Sequence, residues 1–444
     1  MILCLQKQKG KTIMARPVKI LQFGEGNFLR CFIDWMVQKM NDKAAFDGAV
    51  QIVQTIGDEY SVPSMLLNEA KGRYHTCLRG FIDGKQVEIL EENTATTGVL
   101  LASKEWDAIE KVAISDELRF VVSNTTEAGI EYKAGNAATF PAKVAKLLQA
   151  RAKAGKKGLV FIPCELIEHN GDTLAKYILQ YLADWGDAAT AKYVKDECTF
   201  CSTLVDRIVA GRPDAESAER YAAQLGEKDE LLVCGEPFHF FVIEGPDWLE
   251  SELPLQKAGI NVVYTPDMQP YRTRKVRFLN GAHTATIPAG LLDGFEFVDQ
   301  LVADAKYNKH FRTILFDEIF PTVDLPFDNK KAYAESILER FANPFAHHRL
   351  ASIALNSVSK WKVRVLPTVL DFYRMYNRLP PALTASLGKL VKFSLTDQIA
   401  DTAEVAAFFA AKPSVKEVLA NEAFWGRDLN EIPGMTELVE AAAR

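Results

Sequence analysis

Short apolar runs alternate with stretches of helical period along the first part of the chain. Val18 to Phe23 is a β-like run, followed by Gly24-Glu25-Gly26-Asn27 and a helix-period stretch from Phe28 to Met40. A β-rich run over 49–56 ends at Gly57-Asp58, and the alternation over 74–90, turning at Asp83-Gly84, reads as a hairpin. A helix over 106–114, a strand over 119–122, a helix over 141–154 and a buried strand over 159–163 come next. Strands alternating with helices predict an α/β fold with a mostly parallel, doubly wound sheet, the hairpin being an insertion. Further strands are expected at 231–233, 240–243 and 260–264. From Tyr271 onward the period is helical, over 271–286, 297–318, 331–341, 346–359, 364–378 and 403–412, punctuated by Pro380-Pro381 and Pro413. The change of texture places a boundary near residue 268. It separates an N-terminal domain, 14–268, from a helical C-terminal domain, 269–444. Residues 1–13 read as an extension without a folded role, Met14 preceding the first strand, and the region after 380 as helical packing without a motif.

Composition narrows the function classes. With 444 residues, 48% of them hydrophobic, the chain builds large cores in two or three domains. A net charge of -6 and the absence of a basic stripe argue against a nucleic-acid partner. No apolar run approaches the roughly 18 residues of a membrane helix. Lys7, Lys9 and Lys11 follow the apolar start, the wrong order for a signal peptide. Seven scattered cysteines argue against a disulfide framework and for the reducing cytoplasm. Cys198 and Cys201 form a CxxC with no second pair, read as thiols at a helix end or in a core rather than as zinc ligands. His239 reads as a core residue, and the adjacent His347 and His348, on different helix faces, do not form a metal pair, so no metal is expected.

Four constellations carry candidate chemistry. Strand, Gly24-x-Gly26, helix is the first: bare backbone lets a pyrophosphate approach a helix N-terminus. Leu29 stands where the full fingerprint has a third glycine, so a plain strand-to-helix turn is the competing reading. Asp58, after the second strand, is the candidate acceptor for ribose hydroxyls. The second is Lys275-x4-Asn280-x2-His283. Projected around a regular α-helix, Lys275, His283 and Asn280 follow one another across one broad face, and Arg272, one turn before Lys275, lies on the same side. A lysine that protonates a carbonyl oxygen needs its pKa lowered from ~10.4 toward ~7–8 by burial or a nearby cation such as Arg272. A solvated basic helix start is the alternative. Third, Asp206-Arg207 inside an apolar run suggests a buried ion pair, structural or catalytic. Fourth, Glu165 follows a buried strand, where open α/β sheets bind ligands; a helix N-cap segment is as good a reading.

These residues resemble the polyol-specific long-chain dehydrogenases, the mannitol dehydrogenase family. Its Lys-x4-Asn-x2-His signature is matched by Lys275, Asn280 and His283, its Gly-x-Gly-x-Phe-x-Arg loop by Gly24, Gly26, Phe28 and Arg30, and its Val-Asp-Arg-Ile segment by Val205 to Ile208. Longer blocks extend the likeness over about three quarters of the chain. They include Gln22-Phe23-Gly24-Glu25-Gly26-Asn27-Phe28-Leu29-Arg30, Ser123-Asn124-Thr125-Thr126, Pro163-Cys164-Glu165-Leu166-Ile167 and Ser352-Ile353-Ala354-Leu355-Asn356. The resemblance implies a Rossmann-type domain whose cofactor residues are Gln22 to Arg30, Asp58, Asn124 and Thr125. It also implies a helical second domain, a site in the cleft between the two, and NAD as cofactor. Mannitol dehydrogenases carry Asp-Asn where this chain has Glu165-Leu166, which argues against mannitol.

The implied reaction is metal-independent, NADH-driven reduction of a ketohexuronate, D-tagaturonate, to D-altronate, and its reverse. Lys275 acts as general acid/base, Asn280 and His283 hold the carbonyl, and Asp206 supports the network. For the uronate carboxylate the candidates are Arg272, Arg274, Lys360, Lys362 and Arg364, with Glu165 a further substrate contact. Fructuronate or another polyol as substrate, a non-catalytic dinucleotide sensor and a lysine Schiff-base lyase are the rivals. Keeping Lys275, Asn280 and His283 together speaks against a sensor. The expected assembly is a monomer or small homo-oligomer.

Overall fold

The computed structural model describes residues 16–126, 128–326 and 329–444. The expected extension over 1–13 and Met14 lie outside them. The chain divides into two compact units between Met268 and Gln269.

In the first unit, six parallel strands form the central sheet: β1 (Val18–Phe23), β2 (Ala49–Gln54), β3 (Thr96–Leu101), β4 (Phe120–Ser123), β5 (Val160–Pro163) and β6 (Thr199–Phe200). Their order is β3-β2-β1-β4-β5-β6. The order reverses at the β1/β4 gap, and ligands of doubly wound sheets bind at that switch point, outside the strands' C-terminal ends. Both faces are covered, so the strands read as continuous apolar runs. Val50, Ile52 and Phe120 face one core, Leu21, Val53 and Phe161 the other. The hairpin pairs Tyr74–Ile82 with Lys85–Asn93 in a separate four-stranded sheet. A third sheet holds Ser202–Asp206, Phe240–Glu244 and Val262–Thr265.

The first helix departs from expectation. The run over 28–40 splits into α1 (Asn27–Cys31) and α2 (Ile33–Lys43), broken at Phe32 (φ -122°, ψ -75°). Both pieces bury apolar residues, so the 3.6-residue period survives a kink that it does not signal.

The second unit is helical. The spacing predicts one continuous helix over 271–286. Instead a short helix, Gln269–Arg274, runs into a π-helical segment, Lys275–Asn280, and then into α3 (Gly281–Leu292). α3 buries residues all round its axis, as a central helix does. The expected helix over 297–318 is broken at Asp304, which caps Ala305–Arg312 through its side chain, and continues as a π-turn over Thr313–Ile319. That over 346–359 is interrupted by left-handed residues at His347 (φ 42°) and Asn356 (φ 53°), the latter the N-cap of α4 (Ser357–Arg364). His347 and His348 therefore do not sit on helix faces.

Pro380-Pro381 begins a helix instead of only ending one. α5 (Pro381–Ser394) has Pro381 at its first position, where the missing N–H costs nothing. Buried Glu318 accepts from the backbone N–H groups of Ala382 and Leu383 at 2.7 Å each, satisfying two orphan donors of that first turn. Gly388 allows close approach of Met435–Ala443, since a Cβ there would lie 2.4 Å from the Val439 carbonyl oxygen. No helix among the described residues is long and apolar enough to cross a membrane.

Candidate active site

The loop after β1 is built for close backbone approach. Gly24 has φ +117°, and an added Cβ would lie 2.9 Å from the Asn124 carbonyl oxygen, across the β1/β4 gap. At Gly26, the N-cap of α1, an added Cβ would meet nothing within 4 Å. A tight turn followed by bare backbone facing open space is what a dinucleotide pyrophosphate requires. Leu29, in place of a third glycine, is buried in the core, and Phe28 stacks on Phe32 at 5.0 Å.

The other loop residues hold it from beneath. Gln22 donates to the Gly24 carbonyl at 3.1 Å. Buried Arg30 donates to the carbonyls of Glu25 (3.3 Å) and Leu231 (2.5 Å) and to Asn27 Oδ1 (2.6 Å). The Glu25 carboxylate accepts from Ser61 Oγ at 3.1 Å.

On the β4 side, Asn124 Nδ2 donates to the Cys164 carbonyl at 3.4 Å. Thr125 donates through N and Oγ1 to Glu165 Oε1, each at 2.9 Å, and Ser123 Oγ to Glu165 Oε2 at 3.0 Å. Glu165, expected as an open substrate contact or a helix-cap residue, is thus 2% exposed beneath the Asn124-Thr125 loop. Burial pushes its carboxyl up from the usual range, against the hydrogen bonds from Thr125, Ser123 and its own backbone N–H that pull it down. The cap of the next helix is His169.

Asp206 ends its strand and is buried. Arg207, expected as its ion-pair partner, is spent elsewhere. It donates to the carbonyls of Glu236 (2.8 Å) and Cys31 (2.7 Å) and covers the Trp35 ring at 4.2 Å. Successive residues leave an extended chain on opposite sides, which separates the two charges.

A cavity of about 760 Å³ opens beyond the ends of β2 and β3. Ile56, Asp58, Trp106, Lys143 and Lys146 are among the residues that line it. Asp58 is exposed there, as a ribose ligand must be. Ile56 is 78% exposed and offers an apolar surface to this cavity. Lys143 Nζ donates to the Thr55 carbonyl at 2.6 Å, tying the next helix to this loop. Sequence reading missed Ile56, Trp106 and Lys143, because no local pattern links three residues on three segments.

In the second unit the π-helical segment carries Lys275 at its start and Asn280 at its end. π-turns occur mostly as single turns inside α-helices and often at functional sites. Bonding from i to i+5 widens the turn, so the regular α-helical projection does not apply here. Residues five apart come nearer one line, bringing Lys275 and Asn280 closer together than that projection gives. Lys275 and Asn280 are half-buried, and His283 is 4% exposed. Among the described residues the Asn280 side chain makes no hydrogen bond, and His283 Nε2 is buried without a partner. The His283 ring stacks on Phe341 (3.9 Å, 11°) and meets the His348 ring edge-on (5.2 Å, 84°). Burial, then His348, Arg340 and Arg364, holds its pKa well below the usual histidine value, so the ring is neutral.

Of the cations proposed for a carboxylate, Arg274 is buried, with Nη1 donating to Asn329 Oδ1 at 2.6 Å and its guanidinium over Tyr333. Lys362 Nζ makes a long contact, 3.5 Å, with the Ala423 carbonyl. Arg272, Lys360 and Arg364 are half-buried.

The remaining motifs are structural. His239 is half-buried between the Trp35 ring and the backbone of Asn261, its pKa lowered to about 4 chiefly by the loss of solvent around it. Cys198 caps a helix and Cys201 is buried.

Comparison with known proteins agrees with this anatomy. The family model described as the mannitol dehydrogenase Rossmann domain matches residues 18–257, and the mannitol dehydrogenase C-terminal domain matches 267–444. The altronate oxidoreductase of Bacillus subtilis (strain 168) is 40% identical over 95% of this chain and 91% of its own length. That of Klebsiella pneumoniae (strain 342) is 39% identical over 96% and 93%. Two solved structures share the fold. Pseudomonas fluorescens mannitol 2-dehydrogenase, in ternary complex with NAD and D-mannitol, has TM-score 0.74 at 20% identity, covering 96% of this chain and 91% of that one. A substrate-free D-sorbitol dehydrogenase has TM-score 0.79 at 24% identity, covering 96% and 92%.

Proposed function

Because the chain belongs to the mannitol dehydrogenase family, we propose that it interconverts D-tagaturonate and D-altronate with NAD as the nicotinamide cofactor. The substrate follows from the altronate oxidoreductases that match nearly the whole chain. The chemistry rests on one structural observation. In the Lys275-to-His283 segment a π-turn carries the lysine, and two polar groups, the Asn280 amide and His283 Nε2, are left without hydrogen bonds among the described residues.

The Gly24 loop fits the pyrophosphate, since one glycine turns the chain and the other leaves backbone facing open space. Asp58 takes the adenosine ribose hydroxyls, which favours NAD over its 2′-phosphorylated form. NADH, when bound, supplies a hydride to the ketone carbon. Lys275, as ammonium, gives a proton to the oxygen that becomes the hydroxyl; in the reverse direction it removes that proton as amine. Asn280 and neutral His283 donate hydrogen bonds to the same oxygen where charge develops. Glu165 holds Ser123 and Thr125, on either side of Asn124, from below. Arg272, Lys360, Lys362 and Arg364 are the half-buried candidates for the uronate carboxylate.

Lys143 bears on the cofactor alone. Lys143→Met removes the tie to Thr55 and should raise the Kd for NADH about tenfold, measured by fluorescence titration, with the KM for sugar acid unchanged. The substrate assignment is tested in the oxidative direction. With NAD+, D-altronate should be oxidised far faster than D-mannonate or D-mannitol. Preference for D-mannonate would move the protein to the fructuronate branch, and preference for D-mannitol would overturn the uronate reading.

A further inference from the structure

Half-buried arginines in folded proteins are normally paired. Arg277 of the π-helical segment is such a case: it donates to Thr368 Oγ1 at 2.8 Å and pairs with Asp371 at 3.0 Å. Arg364, at the C-terminal end of α4, differs. Its guanidinium makes one long hydrogen bond, from Nη1 to Thr284 Oγ1 at 3.4 Å, and has no carboxylate partner among the described residues. Burial is the one cause that lowers its pKa. Taking a guanidinium out of water without an anion is costly, so a site that keeps one so poorly satisfied is organised for an anion that arrives.

Its position is equally specific. Thr284 is the residue after His283. The Arg364 carbonyl oxygen lies 3.1 Å from where a Cβ on Gly281 would stand, so the end of α4 is packed onto the first turn of α3. A side chain at Gly281 would push the two helices apart, which gives a reason for glycine in Asn280-Gly281-Ala282-His283. Lys360 lies one turn earlier on α4, with Nζ on the Ile353 carbonyl at 2.9 Å. His348 touches the edge of the same His283 ring.

We propose that Arg364 is the residue that reads the substrate's carboxylate, beside the hydrogen-bonding groups of Asn280 and His283, and so selects a keto sugar acid over the neutral ketose. A planar fork of N–H donors matches a carboxylate in two parallel hydrogen bonds, which the single charge of Lys360 does not reproduce. The inference rests on the uronate reading above and singles out one cation among the candidates for that carboxylate.

The test compares D-tagaturonate with D-tagatose, which carries CH2OH in place of the carboxylate, in the intact enzyme with NADH. Arg364→Gln should raise the KM for D-tagaturonate by about thirty- to a hundredfold, the loss expected for a bidentate charge-assisted contact. kcat/KM for D-tagatose and the Kd for NADH should change less than about threefold, so the acid-to-ketose selectivity ratio collapses. Arg364→Lys keeps the charge and loses the fork. It should fall between the two and supplies the test if the glutamine variant does not fold. A purely structural role would depress both substrates equally and leave the ratio unchanged; that result overturns the proposal. So does a rise in KM for D-tagaturonate with Arg272→Gln that Arg364→Gln does not show. If the wild-type enzyme shows no preference for the acid, the uronate reading fails and the role of Arg364 falls with it.

Discussion

Lys275→Met should bind NADH as tightly as the parent and turn over D-tagaturonate at least about a thousandfold more slowly, in line with the ~10²–10⁴ contributed by a positioned general acid. The side chain sits at the start of a π-turn inside an otherwise α-helical run, and methionine keeps its length and most of its packing. The dinucleotide loop lies in the other unit, at Gly24 to Asn27, so cofactor affinity gives an internal control. A pH profile sharpens the test. Reduction needs the ammonium and oxidation needs the amine, so the limb of kcat/KM assigned to Lys275 should reverse sense between the two directions and vanish in the variant. Near-parental turnover would remove Lys275 from the chemistry. Lost NADH binding would show that the substitution disturbs more than a proton donor.

A large change in stability is expected from Asp34, below the same loop. Asp34 is completely buried on α2, Oδ1 has no partner, and Oδ2 receives a long contact from Gln22 Nε2 at 3.5 Å. Tyr74 Oη lies 3.3 Å from Oδ2, but it also lies 2.7 Å from the Arg30 carbonyl, which only accepts. Tyrosine has one proton to give, and the shorter bond takes it. The contact with Asp34 is then favourable only if the acid donates, that is, if Asp34 is protonated. Burial pushes the carboxyl up from 3.8 to about 7, opposed by Gln22, Arg30 and Tyr74.

The sign follows from proton binding. Between about pH 4 and pH 7 the folded chain holds a proton that the unfolded chain has released, so stability falls as pH rises through that window and levels off above it. A displacement of this size corresponds to about 4 kcal/mol. Asp34→Asn keeps the shape and the donor and removes the titration. Its melting temperature should gain on the parent steadily from pH 5 to pH 7 and no further by pH 8. A constant difference across that range would mean that Asp34 does not titrate there. Asp34→Ala, which leaves a hole beside Tyr74 and Gln22, should destabilise at every pH.

Much of this is visible in the chain itself, and the reasons for the rest are particular. β1 and Gly24-x-Gly26 are legible because buried parallel strands are continuous apolar runs, and a glycine turn follows directly. Helices of the second unit show their period, but their breaks do not. Asp304 and Asn356 interrupt them through a cap and a left-handed backbone, which leave the apolar spacing intact. Pro380-Pro381 marks a start as readily as a stop, and α5 escapes a reading that takes it only as a stop. The π-turn at Lys275 alters the face of a helix without altering its composition. Glu165 has the sequence position of a ligand contact and the surroundings of a buried anchor. Arg364 stands out from the other arginines only when its partners are known, since isolation is a property of the folded chain.

The central claim is a substrate and a cofactor together. The most direct measurement is NADH consumption by the purified protein with D-tagaturonate, D-fructuronate and D-fructose in separate reactions, followed by nicotinamide absorbance. The account predicts fast consumption with D-tagaturonate, with D-altronate as product, and little with the other two. Faster consumption with D-fructuronate or D-fructose, or none with any of the three despite measurable NADH binding, would contradict it.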